Sequence, residues 1–238
     1  MKADRLLYTS AGAIFLVLTV VGFQHYIFGG KHFDGSPIDP TMLVIVVAHS
    51  TAIFAWFLLF FLQSLLIATK NRRIHQKLGW SVLVIATAIA VTGPIVATHS
   101  VRLVPQQVVF DWPGPRFLLV MYAEIALYVA FVFIGVLNRK RPRVHRPMML
   151  MASLSLISGA TGRIPLVSSI FGEHHWMGIF GPVVGIGAVL LLLHWALTRK
   201  LEREFALSFA ALLFATVVAS TLADTAVWSN LAGVILRP

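Results

Sequence analysis

The segment NRRIHQKLGW, residues 71–80, places His75 between basic residues and the start of a long apolar run. A second segment, RPRVHRPMML at residues 141–150, repeats this arrangement around His145. Short basic segments that separate long apolar runs are typical of the cytoplasmic loops of membrane proteins. The two segments therefore predict a chain that crosses a membrane several times, with both histidines on the cytoplasmic side.

The composition supports this interpretation. Of the 238 residues, 58% are hydrophobic and only 12% are charged, and the mean hydropathy of +0.85 is far above that of soluble domains. The net charge of +10 comes from short loops between apolar runs, so it indicates membrane topology and gives no reason to expect nucleic acid as a partner. The absence of cysteine excludes disulfides, thiolate metal sites and cysteine nucleophiles.

Seven apolar runs are long enough to cross a membrane, because a helix of about 20 residues spans the hydrocarbon core. We therefore expect an all-α polytopic membrane protein that forms one transmembrane domain over residues 1–238. The first run is too long for a cleavable signal peptide and lacks a small-residue cleavage pattern, so it should remain as a helix. The seven predicted helices cover residues 6–28, 41–69, 78–98, 117–137, 147–169, 178–198 and 205–222.

Lys and Arg residues alternate between the loops in a way that predicts orientation. The N-terminus and the second, fourth and sixth loops hold most of them, whereas the other loops hold only Lys31, Arg102 and Arg116. Because basic loops stay in the cytoplasm, the N-terminus should be cytoplasmic and the C-terminus outside. We expect a multi-pass protein of the bacterial inner membrane, with a long interfacial outer loop around Trp112 and a tail at the outer surface after residue 222.

Two charged residues lie inside predicted helices. Glu124 lies about 11 Å below the outer end of the fourth helix, and Arg163 lies about 24 Å from the cytoplasmic end of the fifth, which places both in the outer half. A lone charge in hydrocarbon is costly, so we predict a structural ion pair between Glu124 and Arg163. The pair either joins two helices or belongs to a functional site.

Histidines provide the other candidate site residues. His49 lies about 12 Å deep in the second helix, and Trp56 and Gln63 follow on the same face. We predict that a cofactor would be bound by His49, His99, Gln63 and Trp56, and that a metal ion would be bound by His49, His99, Glu124, His174 and His175. A histidine at a helix end often bonds a loop instead, and no pair has the spacing of a zinc helix.

Small residues and a weak repeat indicate how the helices pack. Gly181 with Gly185, and Ser155 with Gly159 and Arg163, have the four-residue spacing that permits close helix contacts. His75 is followed by TGPIV from Thr92, and His145 by TGRIPLV from Thr161, at nearly the same separation. This pattern is consistent with a duplication of two helices.

The segment AHSTAIFAWFLLFFLQSLLIATKNRRIHQKLGW resembles a family of uncharacterised bacterial multi-helix membrane proteins, with the motif residues His49, Gln63, Arg72, His75, Leu78 and Gly79. VHRPMMLMASLSLISGATGRIP resembles the second motif of the same family through His145, Met149, Leu150 and Arg163. A more distant resemblance is to b-type cytochromes with four-helix haem bundles. The family resemblance implies a fold and no known activity.

Three functions are compatible with these features. The first is electron transfer, with haem b or a transition metal ion in the outer half and quinone or another membrane subunit as partner. The second is a non-catalytic accessory or scaffolding subunit of a membrane complex, in which Glu124 and Arg163 only join helices. The third is transport of a small solute or a proton, although no Gly/Pro-broken helix marks a midplane site.

Overall fold

The computed structural model describes residues 2–31, 37–104, 106–172 and 175–237. Helices dominate this part of the chain, with one short hairpin of two strands. The elements are α1 (Lys2–Gly22), α2 (Gln24–Gly29), α3 (Leu43–Ala68), α4 (Arg72–Gly79), α5 (Ser81–Leu103), β1 (Val108–Val109), β2 (Trp112–Pro113), α6 (Gly114–Leu137), α7 (Pro142–Thr161), α8 (Pro165–Phe171), α9 (His175–Thr198), α10 (Arg203–Ala223) and α11 (Ala226–Ile235).

Six helical segments in the described residues are long and apolar enough to cross a membrane, or seven if the bent pair α7 and α8 forms one span. The expectation of an all-α multi-pass membrane protein is confirmed at this level. The predicted fifth helix, 147–169, is broken, because α7 ends at Thr161 and α8 departs at an angle of 102°. Ile164 precedes Pro165 and has an extended backbone, as steric contact with a proline ring favours.

Three basic loops follow the spanning helices α3, α6 and α9. We call the end of the molecule that contains these loops, residues 69–71, 138–141 and 199–202, the basic end, and the opposite end, which contains β1 and β2, the hairpin end. Two of the loops contain a cation with a left-handed backbone, Lys70 at φ 64° and Arg199 at φ 54°. Glycine usually occupies such a position after a helix, so charge here replaces the locally preferred residue.

The centre of the bundle is α7, which packs against α1, α3, α6, α9 and α10. Every residue from Leu150 to Ser155 is buried. Trp56 and Phe57 of α3 and Tyr128 of α6 are buried in the same core. A central helix explains why the sequence of α7 lacks a lipid-facing apolar stripe and contains several serines, because its neighbours cover it on most sides.

Small residues produce close contacts, as the sequence predicts. Gly22 of α1 lies directly against the backbone of Ala160 in α7, where a side chain has no room. Gly181 and Gly185 of α9 accommodate the ring of Phe171 from α8. The four-residue spacing therefore forms a seat for an aromatic side chain that ends the bent segment.

The loop around Trp112, which we expected at the membrane interface, forms a short hairpin. Its two turn residues, Phe110 and Asp111, both have positive φ, which matches the twist of a tight two-residue turn. Trp112 is only 2% exposed and packs with Val120, Ile179 and Phe180. The segment after residue 222 forms the short helix α11, whose Trp228 donates to the Pro115 carbonyl at 2.8 Å.

Candidate functional site

His49 is held in one orientation by α5. Its Nδ1 atom lies 2.9 Å from the hydroxyl of Thr92, and that hydroxyl donates its own proton to the Ala88 carbonyl at 2.6 Å. The network therefore assigns the proton of His49 to Nδ1, with Thr92 as acceptor. No described residue bonds Nε2, which retains its lone pair.

The carboxyl group of Glu124 is bound by the central helix. Ser158 of α7 donates its hydroxyl to Oε1 of Glu124. The other carboxyl oxygen receives no hydrogen bond from any described residue. Serine in a membrane helix commonly bonds across an interface, and here it fixes Glu124 between α6 and α7 with one oxygen still free.

Arg163 lies just beyond α7 and contacts the aromatic residues at the end of α1. Its guanidinium carbon is 4.9 Å from the ring centre of Phe23 and 5.8 Å from that of Tyr26. One terminal nitrogen donates to the Gly159 carbonyl, whereas Nε is buried and has no partner. The aromatic faces attract the cation, so Arg163 is stabilised without a carboxylate contact.

The predicted ion pair between Glu124 and Arg163 is therefore not formed as a direct contact. Glu124 bonds Ser158, and Ser158 and Arg163 are five residues apart, about 7.5 Å along a helix axis. Arg163 nevertheless acts electrostatically on both Glu124 and His49. The three side chains thus lie in the hairpin half of the bundle, with His49 and Glu124 both within electrostatic range of Arg163 and without the direct ion pair that we expected.

His99 does not join this group. It lies seven residues after Thr92 on α5, or about 10.5 Å further toward the hairpin end, and is exposed. His49 and His99 therefore cannot bind one metal or haem iron together. The described residues contain no group of three His, Cys, Asp or Glu side chains suited to a metal. His174 and the side chain of His175 lie outside the described residues.

Trp56 and Gln63 also differ from the predicted cofactor site. Trp56 is 1% exposed, donates to Ser153 at 3.2 Å, and packs edge-on against Tyr128 with ring centres 4.7 Å apart. It is therefore part of the core. Gln63 lies about four turns, or about 21 Å, closer to the basic end than His49, so it belongs to a different layer of the bundle.

Gln63 lies instead near the two histidines of the repeated segments. Both of its amide atoms are buried without a partner, as is Nδ1 of His75. His145 bonds the Gly135 carbonyl at 2.9 Å and interacts electrostatically with His75. Each histidine is the fourth residue of its helix, so the repeat seen in sequence places equivalent imidazoles at the basic end.

A narrow apolar crevice reaches Glu124 from the side of α9 and α10. No water-sized molecule fits it in this conformation, and the polar residues of its lining are Glu124, Ser155 and Thr216. Sequence reasoning did not identify Thr92, Ser158 or Thr216 as site residues. Serine and threonine bond their own helix carbonyls so readily that their presence alone is a weak signal.

No family, no curated protein and no solved structure matches this chain.

Proposed function

We propose that the protein is a quinone-binding subunit of membrane electron transfer in the bacterial plasma membrane, with the basic end in the cytoplasm and the hairpin end outside. The observation that carries this proposal is that His49 and Glu124, on different helices, both lie within electrostatic range of Arg163 in the hairpin half of the bundle. Ionisable groups inside a membrane are costly and tend to mark functional sites. Each of the three also retains an atom that can bond a ligand.

The free atoms match the headgroup of a hydroquinone, the reduced form of a quinone. His49 Nε2 and the second oxygen of Glu124 accept hydrogen bonds from its two hydroxyl groups, and Nε of Arg163 donates to a hydroxyl oxygen. Apolar residues line most of the crevice beside Glu124, among them Leu154 and Phe180, and the crevice must widen before a ring enters it. An apolar ring with two oxygens at opposite ends, supplied from the bilayer, suits these surroundings.

Haem b and a metal ion suit the described residues less well. A haem with two histidine ligands needs imidazoles on opposite sides of one iron. His99 lies two helical turns beyond Thr92, the residue that His49 contacts. A metal ion bound at His49 would not find a set of three His, Cys, Asp or Glu ligands among the described residues. The quinone proposal needs neither group in this chain.

The proposal is tested by the ligand content and ligand affinity of purified protein. We expect a quinone in an organic extract analysed by mass spectrometry, and saturable binding of a short-chain hydroquinone, kept reduced, by protein freed of lipid. His49→Ala and Glu124→Gln should each weaken binding at least tenfold, about 1.4 kcal/mol, because each removes one hydrogen-bonding group. His25→Ala, an exposed histidine of α2, is the matched control and should leave the affinity unchanged.

Equal affinity in the wild type, His49→Ala and Glu124→Gln would contradict a site at these residues. An absorption spectrum and elemental analysis test the other occupants. If the wild type contains stoichiometric haem or metal and His49→Ala does not, the site binds that group and not a quinone. Protein that binds none of them would support the accessory role, in which the Glu124 and Ser158 hydrogen bond only joins α6 and α7.

A further inference from the structure

The loop between α6 and α7 forms a cavity at the basic end. The cavity has a volume of about 430 Å³, and its lining runs without interruption from Leu137 to Arg141. This volume lies in the range of pockets that hold small molecules. Three of the five lining residues, Arg139, Lys140 and Arg141, are cations, and all three are exposed.

No described residue neutralises the charge of this cavity. Arg139, Lys140 and Arg141 form no ion pair with any described residue. The basic loop between α9 and α10 differs, because Glu202 and Glu204 lie among its cations and Glu202 is 3.4 Å from His194. The loop at Arg139 is therefore the one of these two that has an unbalanced positive field.

The cavity also has the position of a lipid headgroup site. The guanidinium carbon of Arg139 is 5.6 Å from the ring centre of Trp80, which is 60% exposed at the start of α5. Exposed tryptophan at a helix end is typical of the membrane interface. Leu137, at the other end of the lining, is an apolar residue that is 63% exposed. The cavity is therefore lined by cationic side chains on one side and by the apolar Leu137 on the other.

Hydrogen bonds fix the backbone of the loop. The Asn138 side chain donates to the Ile134 carbonyl at 2.9 Å, and the Arg141 amide donates to the Asn138 carbonyl at 2.7 Å. Arg139 is stacked on Trp80 at the same time. Binding an anion here requires little further ordering of the loop, and preorganised groups bind more tightly than flexible ones.

We propose that the cavity formed by Leu137 to Arg141 binds the phosphate of an anionic phospholipid, with its acyl chains along Leu137 and α6. Basic pockets beside membrane helices attract anionic headgroups. The ligand is a phosphodiester that belongs to a bilayer lipid, and the site is separate from the one at His49.

The test compares lipid effects on two triple variants of purified full-length protein. R139Q/K140Q/R141Q removes the site, and R199Q/K200Q/R203Q removes the same charge from the other loop. We expect phosphatidylglycerol, but not phosphatidylcholine, to raise the melting temperature of the wild type and the control. The first variant should lose more than half of this shift and retain less phosphatidylglycerol in native mass spectrometry.

Single variants guard against misfolding or altered topology of the triple variant. Trp80→Ala keeps every charge and should reduce the phosphatidylglycerol shift, because Arg139 loses its stacking partner. Arg139→Gln should reduce it as well. Equal shifts in both triple variants would overturn the proposal. So would an equal shift of the wild type with inorganic phosphate, because the ligand would then be a free anion.

Discussion

Ser158 is the residue that fixes the carboxyl group of Glu124 in the candidate site. It holds one oxygen of Glu124 and leaves the other free, so a buried carboxyl group gains a partner without losing its capacity to bind a ligand. Arg163 is stabilised separately, by two aromatic rings and a backbone carbonyl. The two charged side chains therefore contribute to stability through different neighbours.

A double-mutant cycle distinguishes these contacts. For Glu124→Leu with Ser158→Ala we expect a coupling free energy of about 1.5 to 3 kcal/mol, the range for hydrogen bonds to charged groups. For Glu124→Leu with Arg163→Leu we expect less than about 1 kcal/mol, because the side chains are not in contact. The measurement is the free energy of unfolding in a detergent titration. A larger coupling free energy in the second cycle than in the first would indicate a direct ion pair between Glu124 and Arg163.

The sequence predicted the depth of Glu124 and Arg163 in the bundle, but it did not predict which residues they contact. The rise per residue places Glu124 and Arg163 in the same half of the bundle, and both do lie there. The choice of Ser158 depends on the rotation of α6 and α7 about their axes. The choice of Phe23 and Tyr26 depends on how α1 ends. Neither rotation nor helix ends follow from hydropathy.

At the scale of elements, the bend between α7 and α8 shapes the hairpin end. The chain turns by 102° after Thr161, and Phe171 at the end of α8 lies against Gly181 and Gly185 of α9. The corresponding segment of the first repeat, TGPIV, does not break its helix, since α5 continues through Pro94 to Leu103. The two copies therefore share their histidine-bearing starts and differ at their other ends.

The contact between α8 and α9 is tested by the smallest possible side chain. A Cβ atom at Gly181 would lie 2.5 Å from the ring of Phe171, whereas one at Gly233 of α11 would meet nothing within 4 Å. We expect Gly181→Ala to lower the free energy of unfolding by about 1 to 3 kcal/mol through overpacking. Gly233→Ala should raise it by up to about 1 kcal/mol, because alanine favours helix.

The same detergent titration gives both values. A neutral Gly181→Ala would indicate that Phe171 moves aside without cost and that α8 is not fixed by this seat. A large decrease in the free energy of unfolding for Gly233→Ala would contradict the finding that a Cβ atom at Gly233 has no close neighbour.

On the scale of the whole molecule, the basic loops collect at one end and the site lies toward the other. The cations Lys70 and Arg199 remain in left-handed positions that glycine would occupy at lower cost. Membrane topology favours a cation at these loops, which explains why the charge is retained despite local strain. The proposed orientation follows from this distribution of charge.

The absence of cysteine permits a direct test of orientation. We expect Ser100→Cys, at the exposed hairpin end of α5, to react with a membrane-impermeant maleimide added to intact cells after the outer membrane is opened. Thr69→Cys, exposed at the basic end, should react only after the inner membrane is permeabilised. The unsubstituted chain is the control for background labelling. Labelling of Thr69→Cys but not of Ser100→Cys in intact cells would show that the orientation is opposite to the proposed one.

The sequence by itself determined the helical class, the apolar segments and the half of the bundle that contains His49, Glu124 and Arg163. These properties depend on local hydropathy, on charge and on the fixed rise of a helix. They can be obtained without knowledge of which helices are neighbours.

Only the tertiary structure decided that Ser158 rather than Arg163 bonds Glu124, that His99 lies apart from His49, and that Gln63 lies near His75. It also decided that Trp56 and Trp112 belong to the core. These relations join residues far apart in the chain, and each depends on the rotation of helices against one another. Tertiary packing fixes that rotation, because no property of a single segment specifies which neighbour its polar face will meet.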